Sequence, residues 1–162
     1  CLIGCSVTTG VGGVINQKNI FPGATIAVFG TGGVGLNTIL GGQIMNSSKI
    51  IAVDILDTKL EFSYKFGATH TINSKIDNPI EACLEITDGR GVDCAIESAG
   101  HNETIRQTLE CSKDTWLPFM SGYGGISAVL LPTGDLYYYF SDGGVFRYSE
   151  VIKHLSKTKS IC

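Results

Sequence analysis

A doubly wound, parallel α/β sheet is what the sequence predicts, and three observations predict it. Short β-branched runs alternate with helical segments along most of the chain, the pattern of strand–helix–strand units. A glycine-rich turn joins the first clear strand to the helix after it. An acidic residue stands at the end of the second strand. The composition agrees with a globular chain: 162 residues, 43% hydrophobic and 17% charged. Glycine fills 21 positions, nearly twice the average frequency of about 7%, with no three-residue period, so the glycines serve turns and close backbone approaches.

In order along the chain, Thr25–Phe29 and Lys49–Val53 read as compact apolar strands. Thr69–Ile72, Val92–Glu97, Trp116–Ser121 and Leu136–Phe140 follow as further strands. A helix over Leu36–Met45 leaves the glycine turn. Thr58–Phe66 opens on Thr58-x-x-Glu61, a capping box, and stops at Gly67, a left-handed C-cap. Asn78-Pro79-Ile80-Glu81 places an N-cap before a proline at the first helical position, and that helix runs to about Thr87. Glu103–Ser112 and Ser149–Lys157 complete the helices. Their apolar residues recur at three and four positions, as in Leu60 and Tyr64 or Ile80 and Leu84, so each helix has one face for the sheet. Gly122–Gly144 is rich in Gly, Ser and Tyr, with Pro132–Asp135 as a turn.

Twelve Lys and Arg against fifteen Asp and Glu give a net charge of -3, which speaks against nucleic acid as a partner, since that affinity rests on a clustered positive field. No apolar run approaches the roughly 20 residues of a membrane helix, and no charged-then-apolar export signal opens the chain. The six cysteines, at 1, 5, 83, 94, 111 and 162, match neither a zinc ribbon nor a C-x-x-C pair. Most read as small packing residues of a reducing, cytoplasmic compartment. The chain opens without Met on the apolar phrase Cys1-Leu2-Ile3-Gly4-Cys5, which reads as a segment of a longer protein.

Gly30-Thr31-Gly32-Gly33-Val34-Gly35 fits G-x-G-x-x-G between strand and helix, the context that makes it a dinucleotide-binding turn. Gly30 permits the tight turn, Gly32 lets backbone approach a pyrophosphate, and Gly35 lets the helix pack on the strand. The helix N-terminus offers unpaired N–H groups and positive dipole to the phosphates. Asp54, 19 positions after Gly35, stands where an acid holds the adenosine ribose hydroxyls. Its charge repels a 2′-phosphate and favours NAD over NADP. Lys59, on the helix after Asp54, is a further candidate for the ribose. A merely structural glycine turn, with Asp54 capping or solvated and Lys59 a solvated surface lysine, is the alternative.

Four further phrases carry a resemblance: Cys1–Gly10, Lys65-Phe66-Gly67-Ala68-Thr69-His70, Glu85–Gly89 with Gly91-Val92-Asp93, and Glu97-Ser98-Ala99-Gly100. With the glycine turn and Ile50–Asp54, they are similar to the medium-chain, zinc-dependent alcohol dehydrogenases, nearest the aryl-alcohol and glutathione-dependent formaldehyde branches. The resemblance is dense to about Gly100 and thinner beyond. It implies that residues 1–20 form a connecting helix from a catalytic domain and residues 21–162 the Rossmann domain that binds NAD. It also implies that Cys5 is a ligand to catalytic zinc and that Thr9 packs against nicotinamide. In such enzymes the zinc holds an alcohol oxygen as alkoxide while hydride passes to nicotinamide, giving an aldehyde. The family's other ligands, a Cys and a His with its Glu, have no counterpart here, and His70, His101 and His154 read as bland histidines. The chain alone is then expected to bind dinucleotide without turnover.

Three other readings compete. A dinucleotide-binding module without activity accounts for the same turn. A methyltransferase leaves Cys5, Thr9 and the Gly89–Gly100 phrase unexplained, and a zinc-free quinone reductase tends to lack an acid like Asp54. The run Tyr137-Tyr138-Tyr139 in Leu136–Phe140 reads as an unprotected rim of the parallel sheet, and therefore as a homodimer edge with Tyr137 or Tyr139 in the interface.

Overall fold

The computed structural model describes residues 3–16 and 20–112, and beyond them the backbone of four short strands. A single π-helical turn, Ile3–Val7, runs into helix α1, Thr8–Ile15. Strands and helices then alternate: β1 Thr25–Phe29, α2 Gly33–Ile44, β2 Lys49–Asp54, α3 Asp57–Ser63, β3 His70–Asn73, α4 Pro79–Ile86, β4 Cys94–Glu97, α5 Asn102–Glu110 and β5 Phe119–Met120. These five strands form one parallel sheet in the order β3-β2-β1-β4-β5. The chain thus winds outward from β1 through β2 to β3, then crosses to β4 on the other side. That reversal opens a crevice at the carboxyl ends of β1 and β4, the usual ligand position in an open α/β sheet. Among the described residues no helix is long and apolar enough to cross a membrane.

The strands are apolar without alternation because helices cover both faces of the sheet. All five residues of β1 are buried, and Ile26 lies beside Ile50 and Cys94 while Phe29 lies beside Val53 and Glu97. Period two then separates two cores. Ile26, Val28, Ile50, Ala52, Cys94 and Ile96 pack with Val14, Ile39 and Leu60 of α1, α2 and α3. Ala27, Phe29, Ile51, Val53 and Ala95 pack on the opposite face with Cys83 of α4 and with Val92 and Cys111. Each fully buried side chain of this size contributes about 1.5–3 kcal/mol relative to exposure. Cys83, Cys94 and Cys111 are packing residues, as the sequence suggested. Burial and the neighbouring Asp93 charge push the Cys94 thiol up to about 12. A hydrogen bond with Cys83, together with burial, pushes Cys111 up as well.

Several expected boundaries hold. Asn78 caps α4 through its Oδ1, which accepts from Ile80 N at 3.1 Å, with Pro79 at the first turn. Gly67 ends the turn after α3 with φ +106°. The capping box at Thr58 does not form. Helix α3 begins at Asp57, so Thr58 lies inside it, and the N-cap residue is Leu56, which has no side-chain acceptor. Helix α2 begins at Gly33, three residues before the expected Leu36, because the glycine turn is itself the first helical turn.

The strand expected over Leu136–Phe140 is present at Leu136–Tyr139, but not as the rim of the parallel sheet. It is β7, the middle strand of a separate three-stranded antiparallel sheet with β6, Ser127–Leu130, and β8, Val145–Arg147. Tyr138 pairs with Ala128 on one side and Phe146 on the other, so both strand edges are already taken. The open edge that motivated the homodimer is absent from this strand. The helix expected over Ser149–Lys157, the turn Pro132–Asp135 and His154 lie outside the described residues.

Helix α1 reaches α2 through glycine. A β-carbon on Gly10 would lie 2.6 Å from Val34 O, 2.7 Å from Asn37 Cβ and 2.8 Å from Thr38 N, and one on Gly41 would lie 3.0 Å from Val14 Cβ. Gly12, one turn position away, meets nothing closer than Asn16 Nδ2 at 3.7 Å. Gly10→Ala is therefore expected to destabilise the fold by about 1–3 kcal/mol through overpacking. Gly12→Ala is expected to stabilise it by about 0.5–1 kcal/mol through helix propensity. Urea unfolding of the two variants checks the pair. The opposite ranking would mean that α1 does not pack on α2 in this register.

Candidate functional site

The crevice at the carboxyl end of the parallel sheet is built around the glycine turn. Gly30 follows β1 with φ +92°, a left-handed conformation that suits glycine, and a β-carbon there would meet Ala99 N at 2.8 Å. Its N–H donates to Val53 O at 2.8 Å, fastening the turn to β2. Gly35 is the most restrictive position. Its β-carbon would lie 1.8 Å from Gly30 O and 2.8 Å from Ser98 Oγ, so only glycine lets α2 fold back against the end of β1. Gly32 is the reverse case. It is the N-cap of α2, has no side-chain cap, and a β-carbon there would meet nothing within 4 Å. The first N–H groups of this 12-residue helix have no intrahelical partner, and Gly32 and Gly33 at its start are exposed. Gly33 sits beside Ser6, whose Oγ would lie 3.0 Å from a β-carbon. Val34 is half-buried, with its carbonyl oxygen against Gly10.

Asp54 ends β2 next to this turn and is 8% exposed. Its Oδ2 accepts from both Thr31 N and Thr31 Oγ1 at 2.8 Å. Its Oδ1 accepts from Ile55 N at 2.8 Å and Leu56 N at 3.2 Å, the bonds of an Asx turn that leads into α3. Lys59, half-exposed on α3, brings its Nζ to 3.9 Å from Oδ2. Burial alone would raise the Asp54 pKa. The Thr31 N–H, the Thr31 hydroxyl, the Ile55 N–H and the Lys59 charge outweigh it and hold the carboxyl below the usual range. A fixed negative charge therefore stands beside the open helix N-terminus. Ile55, 51% exposed, sets an apolar side chain next to it.

Sequence reasoning left out the support beneath the turn. Glu97, the last residue of β4, is 0% exposed, and its Oε1 accepts from Ala99 N at 2.9 Å, Gly100 N at 2.8 Å and Thr104 Oγ1 at 2.7 Å. Its Oε2 is buried with no hydrogen-bond partner among the described residues. Ser98 Oγ donates to Gly30 O at 2.7 Å and to Phe29 O at 3.0 Å. The Glu97–Gly100 phrase thus buttresses the glycine turn from below. The signal for this role was a carboxylate in an otherwise apolar buried strand, where an acid needs a specific reason.

The two residues singled out in the first segment lie on the elements that precede β1. Thr9 is half-buried in α1 beside Gly10, on the helix that packs against the start of α2. Cys5 is exposed in the π-helical turn. A catalytic zinc takes three protein ligands, and among the described residues no three His, Cys, Asp or Glu side chains converge. The described residues therefore do not fit the ion as a site of their own. His70 Nδ1 shares a hydrogen bond with Thr69 Oγ1 at 2.8 Å, and His101 is exposed at the start of α5.

Comparison with known proteins gives this arrangement a context. Residues 33–125 match the family described as zinc-binding dehydrogenase. The chain is 42% identical over 117 residues to an S-(hydroxymethyl)glutathione dehydrogenase of Synechocystis, a match covering 72% of this chain and 32% of that protein. It is 42% identical over 118 residues to the alcohol dehydrogenase class-2 isozyme 2 of Oryctolagus cuniculus, covering 72% and 31%. The chain thus spans about a third of the length of the curated relatives it matches. Among solved structures, benzyl alcohol dehydrogenase from Acinetobacter calcoaceticus superposes with a TM-score of 0.71 at 38% identity, over 74% of this chain and 33% of that one.

The Asp54 bonds set a pH dependence. Its pKa in the folded chain lies below the unfolded value near 3.9. The stability it contributes is therefore fully present above that value and is lost as pH falls through the lower, folded pKa. Asp54→Asn is expected to cost about 1–3 kcal/mol at pH 6, because buried N–H donors lose their acceptor. Below pH 4 the gap to wild type should shrink. Urea midpoints between pH 6 and pH 2 check this, and a gap that widens on acidification would contradict it.

Proposed function

Because the chain belongs to the zinc-binding dehydrogenase family, we propose that it is the NAD-binding portion of an alcohol dehydrogenase. In the larger architecture such a portion presents nicotinamide to a small alcohol or aldehyde for hydride transfer. The observation that carries the reading is the ionised Asp54 fixed beside the uncapped N-terminus of α2. A pyrophosphate has its negative charge met by the free N–H groups and the positive end of the helix dipole at Gly32–Gly35. The open space over Gly32 leaves room for phosphate oxygens to reach backbone. From there the adenosine ribose extends toward Asp54, Lys59 is within reach of its hydroxyls, and the exposed Ile55 offers an apolar face to the flat base.

Asp54 also sets the choice between the two nicotinamide dinucleotides. A 2′-phosphate on the ribose would face a buried, ionised carboxylate, with only the half-exposed Lys59 to offset it. The cost is on the order of 1–3 kcal/mol, or about fivefold to 150-fold in affinity. Fluorescence titration is expected to show tighter binding of NADH than of NADPH, and Asp54→Asn is expected to narrow the difference. Equal affinities in the wild-type chain would remove the reading.

The same chain, purified as it stands, is expected neither to retain zinc nor to oxidise an alcohol, since Cys5 supplies one ligand where three are needed. Metal analysis after dialysis and an assay of benzyl alcohol with NAD test this. Stoichiometric zinc or steady turnover would place two further ligands outside the described residues. Dinucleotide binding without either would fit a module that depends on other residues for its chemistry.

A further inference from the structure

The acceptor capacity of Asp54 is used up within the chain itself. A carboxylate offers about four lone-pair positions, and here Thr31 N, Thr31 Oγ1, Ile55 N and Leu56 N occupy them. Three of these donors are backbone groups. Thr31 N is set by the glycine turn, and Ile55 N and Leu56 N by the step from β2 into α3, so none can leave without unmaking its turn. The fourth is the Thr31 hydroxyl, which departs by rotation about a single side-chain bond. A ribose arrives with two adjacent hydroxyl donors.

We propose that Thr31 is a specificity-determining residue whose hydroxyl competes with the adenosine ribose diol for Asp54 Oδ2. The inference rests on the reading that this crevice takes a dinucleotide. A ribose hydroxyl gains its bond to Oδ2 only when the Thr31 hydroxyl turns away. Thr31 is 2% exposed, so its displaced hydroxyl has little water to turn to and must find another protein acceptor or go unpaired. Docking the diol therefore exchanges one charge-assisted bond for another of the same kind, and the net gain is small. Asp54 then acts on specificity mainly by charge, repelling a 2′-phosphate, and only weakly by holding the diol.

The experiment uses AMP and its 2′,3′-dideoxy analogue, which differ only in the two hydroxyls, titrated calorimetrically into wild type, Thr31→Val and Thr31→Ser. Wild type is expected to bind the two ligands within about threefold of each other, because the bond gained is offset by the bond lost. Thr31→Val, which keeps the side-chain shape but has no hydroxyl, is expected to bind AMP about tenfold more tightly than wild type. It should leave the dideoxy analogue unchanged, a selectivity that a general loosening of the fold would not produce. Thr31→Ser, which keeps the hydroxyl, should behave as wild type.

Unchanged or weaker AMP binding by Thr31→Val would overturn the proposal. If that variant fails to fold, the wild-type pair decides, since a preference for AMP over the dideoxy analogue of tenfold or more would overturn it as well. NADH separates the two levels of the argument. Binding of NADH by wild type with no gain of AMP affinity in Thr31→Val defeats the competition alone, whereas no binding of NADH or AMP by wild type defeats the dinucleotide reading and the competition with it.

Discussion

The contact between Gly35 and the carbonyl of Gly30 leaves no room for a β-carbon, which would sit 1.8 Å from that oxygen. This one approach brings the start of α2 against the end of β1. It also fixes Thr31 between two glycines, with its N–H and hydroxyl directed at Asp54. Ser98 holds the same carbonyl from below, so Gly30 O is bounded by α2 on one side and by the residue that follows β4 on the other. The position of the acid, the open helix end and the buttress are consequences of a single steric constraint.

That constraint is affordable because the sheet behind it is rigid. Both faces of β1, β2 and β4 are buried under helices, and the two cores share no side chain because successive residues point to opposite faces. A turn at the end of such strands has little freedom to relax. Glu97 shows how far the arrangement goes, with a wholly buried carboxyl oxygen taking three donors from the segment that follows β4. An acid in that place raises the desolvation cost of folding, and the hydrogen bonds from Ala99 N, Gly100 N and Thr104 Oγ1 offset it.

Much of this was legible in the sequence where local chemistry and tertiary position agree. The apolar run Thr25–Phe29, the Asn78-Pro79 cap, the Gly67 stop and the order of glycine turn, second strand and Asp54 all fell in place, because each is dictated within a few residues. The failures have one origin: a partner outside the motif that was read. Thr58-x-x-Glu61 has the spacing of a capping box, yet Asp54 already accepts the N–H groups of Ile55 and Leu56, which draws the helix start forward to Asp57. Tyr137–Tyr139 has the composition of an unprotected rim, and nothing in those residues records that Ser127–Leu130 and Val145–Arg147 flank them on either side. Thr31 stands at a variable place in a glycine motif, so its bond to a carboxylate 23 residues away could not be read from the motif.

On the proposed dinucleotide reading, the arrangement at Asp54 answers two demands on one carboxylate. Discrimination against a 2′-phosphate needs a charge that stays ionised, and a charge that is 8% exposed must be given donors or it will take up a proton instead. Thr31, Ile55 and Leu56 supply them, and the acid remains ionised with its charge held in one place. The same donors stand where ribose hydroxyls would bind, so what keeps the carboxylate ionised also lowers what it can offer a ligand. Backbone N–H groups cannot be exchanged for a ligand without loss of the turn, but a hydroxyl can. On the proposed competition, a threonine at the second position of the glycine motif therefore lets the chain satisfy the acid by itself and still yield one acceptor site to a ribose.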